Sequence, residues 1–294
     1  MTSLSLLVRR VCLALAVALA VPFTVAADPV APLRLMSFNV RNSAAQDGDN
    51  AWPRRTEQFF ALIARFAPDL IGFQEVLADQ HDAITAAMPD YDFVGVARND
   101  GQRSGEWALL GFKKARFAAG PHGDFWLSET PDVPGSKSWD AALTRICTWV
   151  RLTDRATGRD FLYANTHFDH VGKIARQEAS KLIAQRVAAL AAGTPALLTG
   201  DLNINEDNPA YAVLVRPAAP DAIRWIDSYR EVHPSRQSDE ASAHGFKGKV
   251  LGSRIDFIFH TDHFVARASE IDRAARDGRF PSDHYPVTAV LEWR

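Results

Sequence analysis

Cysteine is almost missing: the 294 residues contain two, Cys12 and Cys147. Cys12 lies in an N-terminal segment that reads as an export signal. Arg9 and Arg10 are followed by an apolar run from Val11 to Val21, and Val25-Ala26-Ala27 offers small residues for cleavage before Asp28. Loss of residues 1–27 leaves Cys147 alone, which excludes an internal disulfide and a cysteine-based metal site in residues 28–294. Cys147 falls in the alternating stretch Leu143–Arg151 and is expected to be a buried thiol. Long apolar runs are also lacking after the leader, whose own core falls short of the ~20 residues a membrane helix needs. A stable membrane anchor is therefore not expected, and the mature chain should be periplasmic or secreted. An excess of positive charge is the third absence. The formal charge is −2 and becomes −4 once the two leader arginines are removed. Proteins that live on nucleic acid draw most of their affinity from basic surfaces, so the charge tilts against that class without removing a nuclease with a local basic patch. No repeat period and no linker of domain-boundary character is present, and 28–294 suits one domain.

What is present is a succession of short apolar runs. Strands are expected at 33–40, 69–76, 91–96, 106–112, 143–152, 161–166, 196–199, 254–260 and 287–293, and helices at 54–66, 79–88 and 171–191. In the last helix Val171, Ile174, Ala175, Ala179, Leu182, Ile183, Val187 and Leu190 recur at three- and four-residue spacing, and Gly193 and Pro195 end it. Many strands with a few helices imply a mixed α/β sandwich.

Four of these strands deliver a carboxylate, amide or histidine at or just past their ends, Asn39, Glu75, His167, and Asp201 with Asn203, while Asp256 sits within Arg254–Ile258 and Asp283-His284 precedes Tyr285-Pro286-Val287. Groups on rigid strand tips are held firmly enough for catalysis or metal binding, although any one alone is as well explained by a turn or cap. The ordered set Ser37-Phe38-Asn39-Val40, Gln74-Glu75, Asn165-Thr166-His167, Gly200-Asp201-Leu202-Asn203, Arg254-Ile255-Asp256-Phe257-Ile258 and Ser282-Asp283-His284 resembles the motifs of the endonuclease/exonuclease/phosphatase family, to which the DNase I-like and exonuclease III-like nucleases, sphingomyelinases and inositol phosphatases belong. The resemblance runs from Asn39 to His284. Phe125–Pro131 and His244-Gly245-Phe246 are similar to a bacterial branch of that family.

The resemblance implies a four-layer α/β sandwich, two face-to-face mixed β-sheets flanked by helices, and a divalent-metal-dependent phosphoester hydrolase. Phosphoester hydrolysis needs an activated water, neutralised phosphoryl oxygens and a protonated leaving oxygen. His284 is the natural base, and the resemblance makes Asp256 its orienting partner. A hard cation, Mg²⁺ or Mn²⁺, wants carboxylate and amide oxygens, which points to Glu75 with Asn39 nearby and Asp283 as a further ligand. The resemblance puts Asp201 at the attacking water, Asn203 at a phosphoryl oxygen, and His167 at the leaving group or the phosphate. Arg145 and His170 are candidates for phosphate binding. Arg41 stands where exonuclease III-like members carry an acid; it cannot ligate a cation, and it either leaves the site with one metal or contributes charge to an anionic substrate. His167-Phe168-Asp169-His170 could instead read as zinc-binding, but no partner cluster accompanies it. The substrate stays open among nucleic acid, phosphorylated sugar and lipid headgroup, and a catalytically silent phosphate-binding protein of the same fold is the reading from another class. With no interface-forming apolar helix, a monomer is expected.

Overall fold

The computed structural model describes residues 31–294. The export reading of 1–27 lies outside the described residues. Numbered along the chain, one sheet contains β1 (Leu33–Asn39), β2 (Leu70–Gln74), β3 (Tyr91–Val94), β4 (Leu110–Lys113), β11 (Phe264–Ile271) and β12 (Val287–Trp293), in the spatial order β11-β12-β1-β2-β4-β3. The other contains β5 (Phe117–Trp126), β6 (Ile146–Asp154), β7 (Arg159–His167), β8 (Ala196–Asp201), β9 (Ile226–Asp227) and β10 (Asp256–His260), in the order β5-β6-β7-β8-β10-β9. Both sheets are mixed: β1 with β2 and β7 with β8 are parallel, and the other pairs are antiparallel.

Alternation along the strands builds three cores and hence four layers. Leu35, Leu70, Phe112, Val287 and Leu291 of the first sheet meet Val150, Phe161, Tyr163, Leu197 and Ile258 of the second between the sheets. The outer face of the first sheet packs Met36, Phe38, Ile71 and Phe73 against α1 (Trp52–Phe66) and α2 (Ala78–Ala87). The outer face of the second packs Leu162, Ala164, Leu198, Phe257 and Phe259 against α3 (Lys173–Ala191) and α4 (Pro209–Val215). A short α5 (Ser228–Val232) follows β9.

At one level the inter-sheet core turns polar. Gln74 Nε2 donates to Asn165 Oδ1 at 2.7 Å, and Asn165 Nδ2 reaches across to Phe73 O at 2.7 Å. Gly72 makes that approach possible, since a Cβ there would stand 2.1 Å from Thr199 Oγ1. Gln74 and Asn165, read in the sequence as parts of motifs, thus tie the sheets together just behind the strand ends that carry the site.

Several expectations are corrected. Helix α3 begins at Lys173, where Asp140 accepts from the Ile174 and Ala175 amides, and Val171 and Ile174 are exposed, not part of its buried face. The strand expected at 106–112 shortens to β4, while Trp107 makes only isolated bridges to Val76 and Ala97. Strands β5 and β11 were not anticipated; each carries a register shift, between Ala119 and His122 in β5 and between Ala266 and Ala268 in β11, that breaks simple alternation. Cys147 is fully buried, and burial pushes its thiol up, as expected for an inert side chain.

Candidate active site

Strand register gathers most of the candidates. On β8, Asp201 is directly opposite His167 of β7 on one side and Asp256 of β10 on the other. Asn39 ends β1 opposite Gln74, so Glu75 emerges beside it. His284 is carried by the loop before β12, where it bridges to Ala243. Glu75, Asn203 and Arg41 adopt left-handed backbone angles, φ 64°, 49° and 55°. Non-glycine residues hold such angles at a cost, and they do so where surrounding contacts over-determine them.

His284 Nδ1 lies 2.9 Å from Asp256 Oδ2 and 3.9 Å from Asp201 Oδ2. The short contact fixes Nδ1–H as donor and leaves Nε2 for a ligand. Burial works against the imidazolium, but Asp256, Asp201 and Asp283 outweigh it and hold His284 well above the usual histidine range. Asp201 is pushed up to about 7 by burial and by Asp256, against its bonds from Asn39 Nδ2 at 3.0 Å and Asn203 N at 2.9 Å. Asp256 Oδ1 is buried with no partner.

Glu75 is kept ionised. Burial favours the acid, but Asn39 Nδ2 at 3.0 Å, the His284 charge, and Asn42 through both its N (3.1 Å) and Nδ2 (3.0 Å) together hold it below the usual range. Asn39 is reassigned by this geometry. Its Oδ1 accepts from Arg41 N at 2.9 Å, so its amino group faces the carboxylates, joining Glu75 to Asp201, and its oxygen is not offered as a ligand. Because both acids bond one nitrogen, Glu75 Oε1 and Asp201 Oδ2 are at most about 6 Å apart. The donors that remain are hard carboxylate oxygens, the set a Mg²⁺-like ion takes. The His284 charge answers the Asp201–Asp256 pair, whereas Glu75, kept ionised in the same cluster, is the carboxylate left to receive a cation. Among the described residues, Asp201, Asp256 and His284 form the one group of three whose ligand atoms lie within 4.8 Å of one another. Asp283 stands beside them, raised above the usual carboxylate range by burial, 3.7 Å from Arg41. Arg41 itself is fixed by Asp47 through Nε (2.9 Å) and Nη2 (3.0 Å), which accounts for its place beside Asp283 without a substrate.

On the other flank, Asn203 Nδ2 donates to Phe168 O and lies 3.0 Å from His167 Nε2. Both its amide hydrogens are therefore engaged away from a phosphoryl oxygen, and His167 Nε2 is an acceptor with the proton on Nδ1. Burial first, then the charges of Arg145 and Arg98, holds His167 well below the usual histidine range, so it is a neutral donor and a poor proton source for a leaving group. Arg145 is buried, lines the same small recess as His167, and has Nη2 3.1 Å from His170 Nδ1. The zinc reading fails because Asp169 is committed to the amides of Leu143, Val171 and Gly172 at 2.7–3.0 Å.

Sequence reasoning missed the side chains that hold these loops. Arg55 of α1 donates to the carbonyls of Val40, Arg41, Asn50 and Pro281, clamping the Asn39–Arg41 turn to the Ser282–His284 loop. Ser282 Oγ adds a bond to Asn39 O at 2.7 Å, and Gln80 Nε2 one to Arg41 O at 2.9 Å. His244, of the His-Gly-Phe stretch, stacks on Tyr285 at 3.9 Å beside His284. It is 4 % exposed, and burial with the His284 charge pushes it down to about 4. Between pH 6.5 and 4 the unfolded chain takes up a proton that folded His244 refuses, so stability falls as pH falls through that window. Urea unfolding should lose about 1–2 kcal/mol to this group between pH 7 and 4.5, and His244→Phe should flatten that slope; an unchanged slope would remove His244 from the account.

Comparison with known proteins agrees with this fold. The model of the Endonuclease/Exonuclease/phosphatase family matches residues 36–284. The structure of an endonuclease/exonuclease/phosphatase from Bacteroides vulgatus superposes with a TM-score of 0.82 at 34 % identity, covering 90 % of this chain and 99 % of the other. A mannosyl-6-phosphatase of Bacteroides thetaiotaomicron superposes with a TM-score of 0.78 at 34 % identity, covering 89 % and 100 %. Nocturnin of Drosophila melanogaster is 25 % identical over 313 residues, 88 % of this chain and 46 % of the relative. The chain spans less than half the length of the curated relatives it matches.

Proposed function

The chain belongs to the endonuclease/exonuclease/phosphatase family, whose members hydrolyse phosphoesters, and from that premise we propose that it is a divalent-cation-dependent phosphomonoesterase acting on a phosphorylated sugar. The observation that carries the reading is the full-length similarity, at 34 % identity, to a mannosyl-6-phosphatase. The formal charge of −2 tilts the same way, since proteins that live on nucleic acid draw most of their affinity from basic surfaces. On the leader-like N-terminus, the reaction takes place outside the cytoplasm.

Glu75 would hold the cation, with Asp283 beside it, and Asn39 and Asn42 fix the direction of the Glu75 carboxylate. Bound there, Mg²⁺ or Mn²⁺ neutralises charge on the phosphoryl oxygens. Acid–base work falls to the Asp201–His284 pair: Asp201 orients the attacking water, and His284, held by Asp256 through Nδ1, presents Nε2 to the phosphate. His167 adds a neutral Nδ1–H donor, with Asn203 holding its tautomer. Phosphate release from mannose 6-phosphate is expected in Mg²⁺ and to stop in EDTA, with recovery on adding metal back. Release that ignores EDTA would remove the cation from the account.

A further inference from the structure

Beside His167 lies a small recess of about 10 Å³, lined by Arg98, Glu106, Trp107, Arg145, Ile146 and His167. Its walls are unusual for a protein interior. Arg98 and Arg145 are 7 % and 4 % exposed, yet Arg98 Nε, Arg145 Nε and Arg145 Nη1 have no hydrogen-bond partner, and neither does His167 Nδ1. Buried N–H groups without partners cost about 1–3 kcal/mol each, and three residues lining one recess carry four of them, which points to a group that fills it.

The charges say what kind of group. Arg98 Nη1 pairs with Glu106 Oε2, and Arg145 Nε stands 3.6 Å from Asp169 Oδ2. Two guanidinium groups thus meet two carboxylates, and no net charge is left to draw in a second anion. Asp169 is spent on backbone amides, whereas Glu106, 3.8 Å from His167 Nδ1, still borders the recess with its carboxylate. Charge-balanced walls with spare donors and one carboxylate acceptor suit a neutral group that both accepts and donates, which is an alcohol hydroxyl. The free space at the base admits the centre of about one water-sized group, so one hydroxyl is seated there. Position gives that hydroxyl its parent. His167 Nε2 lies 3.6 Å from Asp201 Oδ2 while Nδ1 faces the recess, so the seat is one imidazole ring removed from the reacting carboxylates. An alcohol portion reaching past His167 from a phosphate held at those carboxylates would meet this seat.

We infer that Arg98, Glu106 and Arg145 form the specificity seat for a ring hydroxyl of the sugar leaving group, making these residues readers of the substrate's alcohol and not of its phosphate. The inference rests on the phosphomonoesterase reading and deepens it. Arg145 accordingly serves the sugar, not the phosphate as its sequence position suggested.

The test compares kcat/KM for mannose 6-phosphate, its monodeoxy analogues and 4-nitrophenyl phosphate, in the full chain with Mg²⁺. Wild type should lose about 10–100-fold on at least one monodeoxy analogue, the range of one hydrogen bond to a charged group. Glu106→Gln should shrink that discrimination to within about threefold while leaving 4-nitrophenyl phosphate hydrolysis within a few-fold. Arg98→Met/Glu106→Leu, which removes the buried pair together and leaves no orphaned charge, should do the same and guards against misfolding of the single variant. Equal rates on every deoxy analogue would mean that the recess holds only water and would overturn the assignment. Equal losses on sugar and aryl phosphates in both variants would make the cluster structural and also overturn it. No phosphomonoester turnover by wild type, with diester cleavage intact, would overturn the functional reading and this assignment with it.

Discussion

His284→Ala is expected to lower kcat by about 10³-fold, within the range that positioned acid–base groups contribute, while far- and near-ultraviolet circular dichroism stay native. The reason is the arrangement around one ring. His284 is the side chain that faces Asp256 at 2.9 Å and Asp201 at 3.9 Å with its second nitrogen still free. Alanine removes that nitrogen and leaves the buried Asp201–Asp256 pair without its counter-charge, so the loss should appear in kcat more than in KM. Asp256→Asn tests the same unit from behind: it preserves shape, removes the charge that raises His284, and should cost a large part of the same factor. Because the two residues act as one unit, the double variant should be little worse than His284→Ala alone. Turnover unchanged in His284→Ala would remove the proposed mechanism, whatever the substrate.

The largest stability effect is expected at a residue that touches no substrate. Arg55→Met should cost about 3–5 kcal/mol of unfolding free energy, the range for losing a buried charged hub. The Arg55 side chain is buried, and burial pulls its guanidinium down to about 10, still charged at neutral pH. That charge is spread over four backbone carbonyls, at Val40 (2.6 Å), Arg41 (2.6 Å), Pro281 (2.7 Å) and Asn50 (3.0 Å). Methionine fills similar space and donates nothing, which orphans the carbonyls that fix the turn after Asn39 and the loop holding Asp283. Activity should fall along with stability, since both loops border Glu75. Thermal unfolding checks the first part; a loss under about 1 kcal/mol would reduce Arg55 to an ordinary surface-type arginine.

These two residues mark the limits of what the chain discloses by itself. Asp201 and Glu75 were legible because each ends or follows an apolar run, Asp256 and His284 because each precedes one, and the order of the four matches a family pattern. Arg55 was not, because it sits in an amphipathic helix where an arginine is ordinary, and its decisive partner, Pro281, is 226 positions away. Asn39 was legible as a site residue but not as what it is. A sequence names an amide without saying which of its two atoms faces the carboxylates, and the Arg41 amide decides that. Arg98 and Glu106 share the difficulty. They flank the turn at 99–105, where charged residues are usually solvated, and only the packing around His167 and Arg145 shows Arg98 to be buried and Glu106 half-buried. In the fold, short apolar runs exposed β1, β2, β7 and β8, which are buried on both faces, while β5 and β11, each carrying a register shift, offered no such run.

The claim at the centre of this account is that the reacting group is a phosphomonoester on a sugar. It is tested most directly by initial rates on mannose 6-phosphate and on the same sugar carrying its phosphate as a methyl diester, at equal concentration in Mg²⁺. The account predicts that the monoester is hydrolysed at least about tenfold faster, as differential transition-state binding of one substrate class requires. Faster cleavage of the diester would contradict it and return the chain to the phosphodiesterases of its family.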